Sequence, residues 1–449
     1  MKKKSTLYIL LLSVLGLAVI FIVLKYKKTK TTEDTKIYSL LERTGPDKAS
    51  AEWTSVKAKV DGYTSTLETL PTDVKSNLEL AATFIQEARI TGNHMYYDQA
   101  AMKHVNDVLK KEAENFSTLC YKSLIYLSQH HFTEALETAK QAQQINPNNA
   151  FIYGLLTDAY VELGNYSGAI EMSDKMQSVK PDIRSYSRVS YLREIHGDYP
   201  GAIEAMKLAV SAGPPGTEGT EWARVQLGHL YEKTGDMKKA DSTYSLSLDY
   251  RPGYGYAYNG LARVAAFNKS YDQSIQYYLK ADSLVTDNTF KEELAELYYF
   301  LKKDDEANRL TKGVINDLNK SAVAADADND LGHYSDNELA LNYLKIGDIP
   351  NALKHAQLEY NRRPENISVN ETMAWVYYKQ GDNAKAATHI KTALKTNSKN
   401  PDLLMRAALI FNKAGDKAMA KKLFQQSLVG NPNSNMLLRN EASAIAQSL

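Results

Sequence analysis

The residue types able to do chemistry are thinly spread along this chain. Three acids, Asp326, Asp328 and Asp330, fall within DADNDLGHYSDNE at the one, three, five spacing with which alternating oxygens surround a calcium ion. The remainder of that pattern fails. Gly332 comes one place late, Asn337 occupies the position of the bidentate acid, and Glu338 lies one beyond it. The bland reading is a solvated loop between structural units, and no metal is expected. His130 and His131 are adjacent and so project in different directions from a helix, and none of the nine histidines forms a His-Glu-x-x-His pair. A Gly-x-x-x-x-Gly-Lys-Ser/Thr phosphate loop is absent. The nearest stretch, from Gly213 to Gly219, has no following Lys and reads as a loop. No Gly-x-Ser-x-Gly elbow occurs either. The expectation is a non-catalytic chain with no cofactor and no small-molecule substrate, the alternatives being a calcium-responsive module on the acidic loop 326–338, with Asp326, Asp328 and Asp330 as ligands, or an enzyme with a cryptic site in the inserts at 212–220 or 318–336.

Composition narrows the partner. Lys and Arg number 54 against 53 Asp and Glu, so there is no electrostatic footprint for nucleic acid, and none is expected. A single cysteine, Cys120, rules out an internal disulfide and any multi-cysteine metal or redox motif. Tyr outnumbers Phe by 30 to 10, which suits half-buried helix contacts in which a ring packs and its hydroxyl stays wet.

Position in the chain is governed by two patterns. The first is an uncharged run, Leu7–Leu24, between a basic tail at 1–6 and a polar linker at 25–45. As a helix it would reach about 27 Å, close to the thickness of a bilayer core. A transmembrane anchor is expected, with a signal peptide cleaved after Gly16-Leu17-Ala18 as the competing reading. The short N-terminal tail stays most simply in the cytoplasm, placing the rest across a bacterial inner membrane in the periplasm.

The second pattern is a repeat. Pro147 and Pro181 lie 34 residues apart, and Pro364 and Pro432 are separated by twice that interval. Between them the same residue classes return: a small residue, an aromatic three later, a Gly-Asp or Gly-Asn turn, an Ala, and often a Pro. Gly228, Tyr231, Gly235, Ala240, Tyr244 and Pro252 make one such series. Ala340, Tyr343, Gly347, Ala352 and Pro364 make the next, followed by Ala374, Tyr377, Gly381, Ala386 and Ala393, then Ala408, Phe411, Gly415, Ala420 and Phe424. Gly suits a sharp turn with left-handed backbone angles, the Asp or Asn after it caps a second helix, and Pro ends that helix.

This pattern resembles the tetratricopeptide repeat. Ten units are read, starting near 81, 116, 150, 183, 221, 255, 288, 333, 367 and 401, within an array spanning 78–434. A helical lead-in at 46–77 precedes it and a capping helix at 435–449 closes it. The unit at 81 shows a stretched turn, and the unit at 288 has Lys302-Lys303-Asp304 where the turn Gly belongs. The tail is similar to versions of the repeat in bacterial envelope-associated proteins. The resemblance implies an all-α, right-handed superhelical solenoid that holds a protein or peptide partner in a concave groove. Carried over by position, it places Trp222, His229, Tyr256, Asn259, Arg263, Tyr334, Asn337, Glu371, Trp375 and Tyr378 on that groove.

Overall fold

The computed structural model describes residues 15–16, 38–327, 332–431 and 435–446. The expected anchor at 7–24 therefore lies outside the described residues but for Leu15 and Gly16. Asp328 and Asp330 lie outside them as well, while Asp326 falls in the last turn of a helix. Among the described residues no helix is long and apolar enough to cross a membrane. The chain divides into two units, Met1–Glu42 and Arg43–Leu449, and the second holds every helical element from Gly45 onward.

That unit is all-helical among its described residues. After a 3₁₀ turn at Gly45–Ala49 comes α1 (Ala51–Thr69), and then ten helical hairpins. They are α2 (Val74–Thr91) with α3 (His94–Leu109), α4 (Phe116–Ser128) with α5 (Phe132–Ile145), α6 (Ala150–Glu162) with α7 (Tyr166–Val179), α8 (Ile183–Ile195) with α9 (Tyr199–Ser211), and α10 (Glu218–Lys233) with α11 (Met237–Tyr250). The second five are α12 (Gly255–Phe267) with α13 (Tyr271–Asp282), α14 (Asn288–Phe300) with α15 (Asp304–Ala327), α16 (Asp336–Lys345) with α17 (Ile349–Arg362), α18 (Ile367–Gln380) with α19 (Asn383–Ala393), and α20 (Pro401–Lys413) with α21 (Lys417–Ser427). A last helix, α22, spans Met436–Ala446. The first hairpin begins at Val74, seven residues before the start read from the repeat, and its turn is the short Gly92-Asn93 rather than a stretched one.

The residue that ends the first helix of each hairpin takes a left-handed conformation, and in six hairpins the next side chain caps the second helix: Asp236, for example, accepts from the Lys239 amide at 3.2 Å and Asp416 from the Met419 amide at 3.0 Å. Where glycine is missing, His130, Lys269 and Lys302 adopt the same angles with φ near 62°. Inside the hairpin, small residues let the two helices approach. Gly228 and Gly260 both lie against the ring of the fully buried Tyr244. A serine hydroxyl bonds the carbonyl of an alanine on the facing helix in three hairpins: Ser123 to Ala135, Ser190 to Ala202 and Ser274 to Ala262, at 2.7–2.9 Å.

The array coils back on itself with a fixed offset of six hairpins. The turn of the first, at Gly92, meets Thr286 just ahead of α14, whose amide donates to Thr91 O at 2.9 Å. The second turn, at Gln129-His130, meets Tyr334 ahead of α16; the third, at Gly164, meets Glu365-Asn366 ahead of α18; the fourth, at Gly197, meets Asn397. The fifth, around Gly235, meets Gly430-Asn431. At the N-terminal edge, Asp47 and Glu52 bind Arg251 ahead of α12, at 2.8 and 3.1 Å.

The third turn carries the densest bonding of this seam. Arg363 reaches Glu162 at 2.5 Å across 201 residues of chain, the Asn366 amide group donates to Glu162 O at 2.9 Å, and the Ile367 amide donates to the Tyr166 hydroxyl. Burial pushes that hydroxyl's pKa up to about 12, so it stays a neutral partner.

The two coils give their turn glycines different duties. A side chain at Gly164 would strain a φ of +80° and would also collide with the Glu365 backbone, whereas Gly381, at +90°, faces open space. Gly381→Ala should cost about 1 kcal/mol, the conformational term alone. Gly164→Ala should cost a further ~1–3 kcal/mol, because backbone on both sides must move. Denaturant unfolding of the two variants side by side checks this; equal losses would refute the close approach.

Candidate functional site

Helices that lead each hairpin pass side by side, and ion pairs stitch six of the neighbouring pairs together. Arg188 on α8 grips Asp158 on α6 through two bonds of 2.5 and 2.8 Å. Lys233 on α10 pairs with Glu194 on α8. Arg263 on α12 binds Glu232 on α10 at 2.9 Å and Glu293 on α14 at 3.0 Å, and Tyr244 donates its hydroxyl to the same Glu232. Lys345 on α16 meets Glu296 on α14 at 3.0 Å, and Arg406 on α20 meets Glu371 on α18 at 2.6 Å.

Four of the residues read from the repeat belong to this ladder or brace it. Arg263 and Glu371 are its rungs. Asn259 donates to Glu293 at 3.2 Å, and Asn337 accepts from the Thr372 hydroxyl at 2.8 Å. Their side chains serve neighbouring helices. Sequence signals for the rungs existed in the recurrence of an acid and a base about 30 residues apart, at Asp158 and Arg188 and at Glu232, Arg263 and Glu293, but position rules for a ligand groove do not read them.

Two more are covered by the chain's own C-terminal helix. Trp375 and Tyr378 stack at 4.9 Å and pack with Met405, Leu409, Leu438 and Ala442, the last two from α22. The Tyr378 hydroxyl donates to Glu441 at 3.1 Å, and Lys379 pairs with the same carboxylate at 2.8 Å. Tyr334 stands in the seam, its ring stacked on His131 at 4.1 Å and faced by the Arg362 guanidinium at 4.2 Å. Trp222 lies under Arg89 at 5.9 Å, and Tyr256 packs edge-on to Phe290.

His229 lines a cavity, as does Arg263 beside it. This space of about 440 Å³ is lined by residues of α10, α12 and α14 and by residues 400–402, Arg406, Asn431 and 435–437. Its wall carries Glu232, Glu292, Glu293, Glu296 and Asp402 together with Lys233, Arg263 and Arg406. Two side-chain atoms of lining residues, His229 Nε2 and Arg406 Nε, are shut off from the cavity as well as from solvent and have no hydrogen-bond partner among the described residues. Burial, with Arg263 and Lys233 nearby, holds His229 well below the usual imidazole range and hence neutral. Burial raises the Glu292 carboxyl to about 7 despite Lys345 and a bond from Asn342, with Glu338 and Glu296 adding repulsion. Glu293 is also raised by burial, against the pull of Arg263. In the insert at 212–220, the Gly216 amide donates to Glu221 and its carbonyl accepts from Arg251. No group of three metal-ligating side chains occurs among the described residues.

Family models described as tetratricopeptide repeat match residues 126–193, 223–254 and 372–435. Those stretches fall on the hairpins just described, and the chain is a tetratricopeptide repeat protein. No curated protein sequence matches it. Solved structures similar to it include human IFIT1 as a dimer with PPP-AAAA, at 14% identity over 76% of this chain and 78% of that one, TM-score 0.48. Others are the APC/C hetero-tetramer Cut9-Hcn1, at 14% over 87% and 94%, TM-score 0.38, and the thermophilic protein TTC0263 of Thermus thermophilus, at 18% over 46% and 98%, TM-score 0.36.

Two stability effects follow. Arg263→Met leaves Glu232 and Glu293 facing each other without their cation and should destabilise the protein by on the order of 3 kcal/mol, measurable in urea. The second concerns the seam histidines. His130 packs against His333 with the rings tilted, centroids 4.2 Å apart, and donates to Tyr334 O at 2.9 Å, and burial lowers the two to about 4 and about 3. His94, Asp98, Arg362, Arg363 and Glu359 are the charged groups around them. The folded protein thus binds fewer protons than the unfolded chain below the ordinary value of 6.5. Their stabilising share is complete above that pH and is lost as pH falls toward about 4. Buried Glu292 and Glu338, raised to about 7, act in the opposite sense over the same range, so the comparison must isolate the histidine. The stability advantage of the parent over His333→Gln, followed by urea melts from about pH 7.5 to about 4.5, should shrink on acidification; a constant difference would contradict the buried neutral imidazole.

Proposed function

We propose that this protein is a non-catalytic, membrane-tethered scaffold that holds a protein or peptide partner along the inner face of its leading helices, in the assembly or maintenance of cell-envelope complexes. One observation carries the partner-holding part: on a face otherwise tied up by its own ion pairs, the cavity at α10, α12 and α14 is lined by more carboxylates than cations. N–H donors of an incoming chain can meet those carboxylates in charge-assisted bonds. The excess of carboxylates in that wall favours protein over a polyanion such as nucleic acid. The tether rests on the apolar run Leu7–Leu24 and its flanking lysines, with the repeats on the periplasmic side of a bacterial inner membrane.

A photoreactive residue at Thr289, on the cavity rim, should capture a protein from native membranes, whereas the same residue at Asp174 on α7 should not. Equal labelling from both positions, or none from Thr289, would remove the partner-holding role. Protease added to intact spheroplasts should digest the repeats if they lie outside that membrane, and removal of residues 1–30 should release the protein from the membrane fraction. Protection in intact spheroplasts, or retention after truncation, would count against the tether as drawn.

A further inference from the structure

Charge is balanced over the whole chain but not along it. Residues 379–422 carry 10 Lys and Arg against 3 Asp and Glu, in a chain that holds 54 against 53. The excess reaches the surface on two successive trailing helices. Among the second helices of the ten hairpins, only α19 and α21 contain no acidic residue. Ala386 and Ala420, 34 residues apart, are their equivalent fully buried positions, so the opposite faces of the two helices are turned to solvent side by side. That surface carries Lys391 on α19 and Lys417, Lys421 and Lys422 on α21, all exposed. None of the four makes an ion pair among the described residues, whereas nearby Lys395 is held by Glu365.

Apolar side chains edge the same surface. On α21 Met419 and Leu428 are exposed at 37% and 42%, one on each flank of the ridge formed by Ala418, Lys421 and Lys422. Neither helix offers an exposed aromatic ring on which a nucleic-acid base could stack. Lysines with apolar flanks fit a plane of anionic headgroups over acyl chains: the ammonium groups meet phosphates, and the apolar side chains enter the layer beneath. We propose that the outer face of α19 and α21 docks on the surface of a bilayer rich in anionic phospholipid. This docking extends the reading that the chain is membrane-tethered and rests on it for its strength, because a tether keeps the array close enough for a few headgroup contacts to fix its orientation. The leading helices α18 and α20, packed on the other side of α19 and α21, then face away from the bilayer and toward a partner.

The test uses the full chain in vesicles of phosphatidylcholine, with and without phosphatidylglycerol, with an environment-sensitive fluorophore on Ala418→Cys; the buried Cys120 takes no label. Flotation in about 1 M salt, where headgroup attraction is screened, reports the tether. Quenching of the fluorophore by lipids brominated in their acyl chains reports the docking. Quenching should require phosphatidylglycerol and should fade between about 0.1 M and about 1 M salt. Lys417→Glu, Lys421→Glu and Lys422→Glu together should lower the ratio of docked to free array by on the order of a hundredfold. The same reversal at the exposed Lys207, Lys238 and Lys280 of α9, α11 and α13 should leave it unchanged. Equal quenching in both vesicles, none in either, or quenching that survives reversal of the α21 lysines overturns the docking, even where flotation upholds the tether. If flotation is lost in high salt the tether fails, and the docking is then read by itself as vesicle binding at low salt that requires phosphatidylglycerol. An oligonucleotide that abolishes quenching at matched phosphate concentration overturns the lipid surface in favour of nucleic acid.

Discussion

The close approach of a hairpin turn to the backbone six hairpins further on is the constraint from which the rest of this structure follows. A left-handed residue alone would serve any helical hairpin. Here Gly92, Gly164 and Gly197 also stand where a Cβ would strike the opposing chain, while Gly347, Gly381 and Gly415 in the second coil meet nothing. Backbone bonds such as Thr286 N–H to Thr91 O, and the side-chain group of Glu162, Tyr166, Arg363 and Asn366, then fix one coil on the other. Without that contact, residues 400–402, Arg406, Asn431 and 435–437 would not line the same space as α10 and α14.

Inside the coil the second organising force is charge. Ion pairs at partly buried positions add little stability by themselves, since desolvation offsets most of their attraction. Their effect is on geometry. Arg263, held between Glu232 and Glu293 on the helices either side, penalises any slip or rotation of α12 that would leave a carboxylate unmatched. The ladder therefore sets the spacing of the leading helices, and the aromatic and alanine packing beneath, typified by Tyr244 against Gly228 and Gly260, fills the space so defined.

How much of this could be read from sequence tracks the distance over which each interaction acts. Turn, cap and helix crossing are decided within one repeat, so Gly235, Asp236, Ala240 and Tyr244 announce their hairpin directly. The seam joins residues as far apart as Glu162 and Arg363, separated by 201 positions, and no local periodicity encodes it. His130 and His131 illustrate the cost: as bare sequence they are turn or solvated histidines, whereas the fold uses them to hold Gly332 and Tyr334 of the other coil. The groove positions fared similarly. The repeat gives the face of each leading helix, but whether a residue on that face is free depends on its neighbour's charge and on α22. Asn259, Arg263 and Glu371 are taken by the ladder, Trp375 and Tyr378 by Leu438 and Glu441, and His229 lines the cavity with its Nε2 shut away from it.

These two forces together change what kind of repeat protein this is. In an open solenoid each unit touches only the units before and after it, and stability is nearly a sum over nearest neighbours. A seam between each hairpin and the sixth one after it adds contacts of long sequence separation, which slow folding but bind the two coils into one cooperative body. A partner inside that body meets a surface whose charges are already matched nearly everywhere. Affinity then has to arise at the few places where they are not, because displacing an existing pair such as Glu371 with Arg406 returns no net bond.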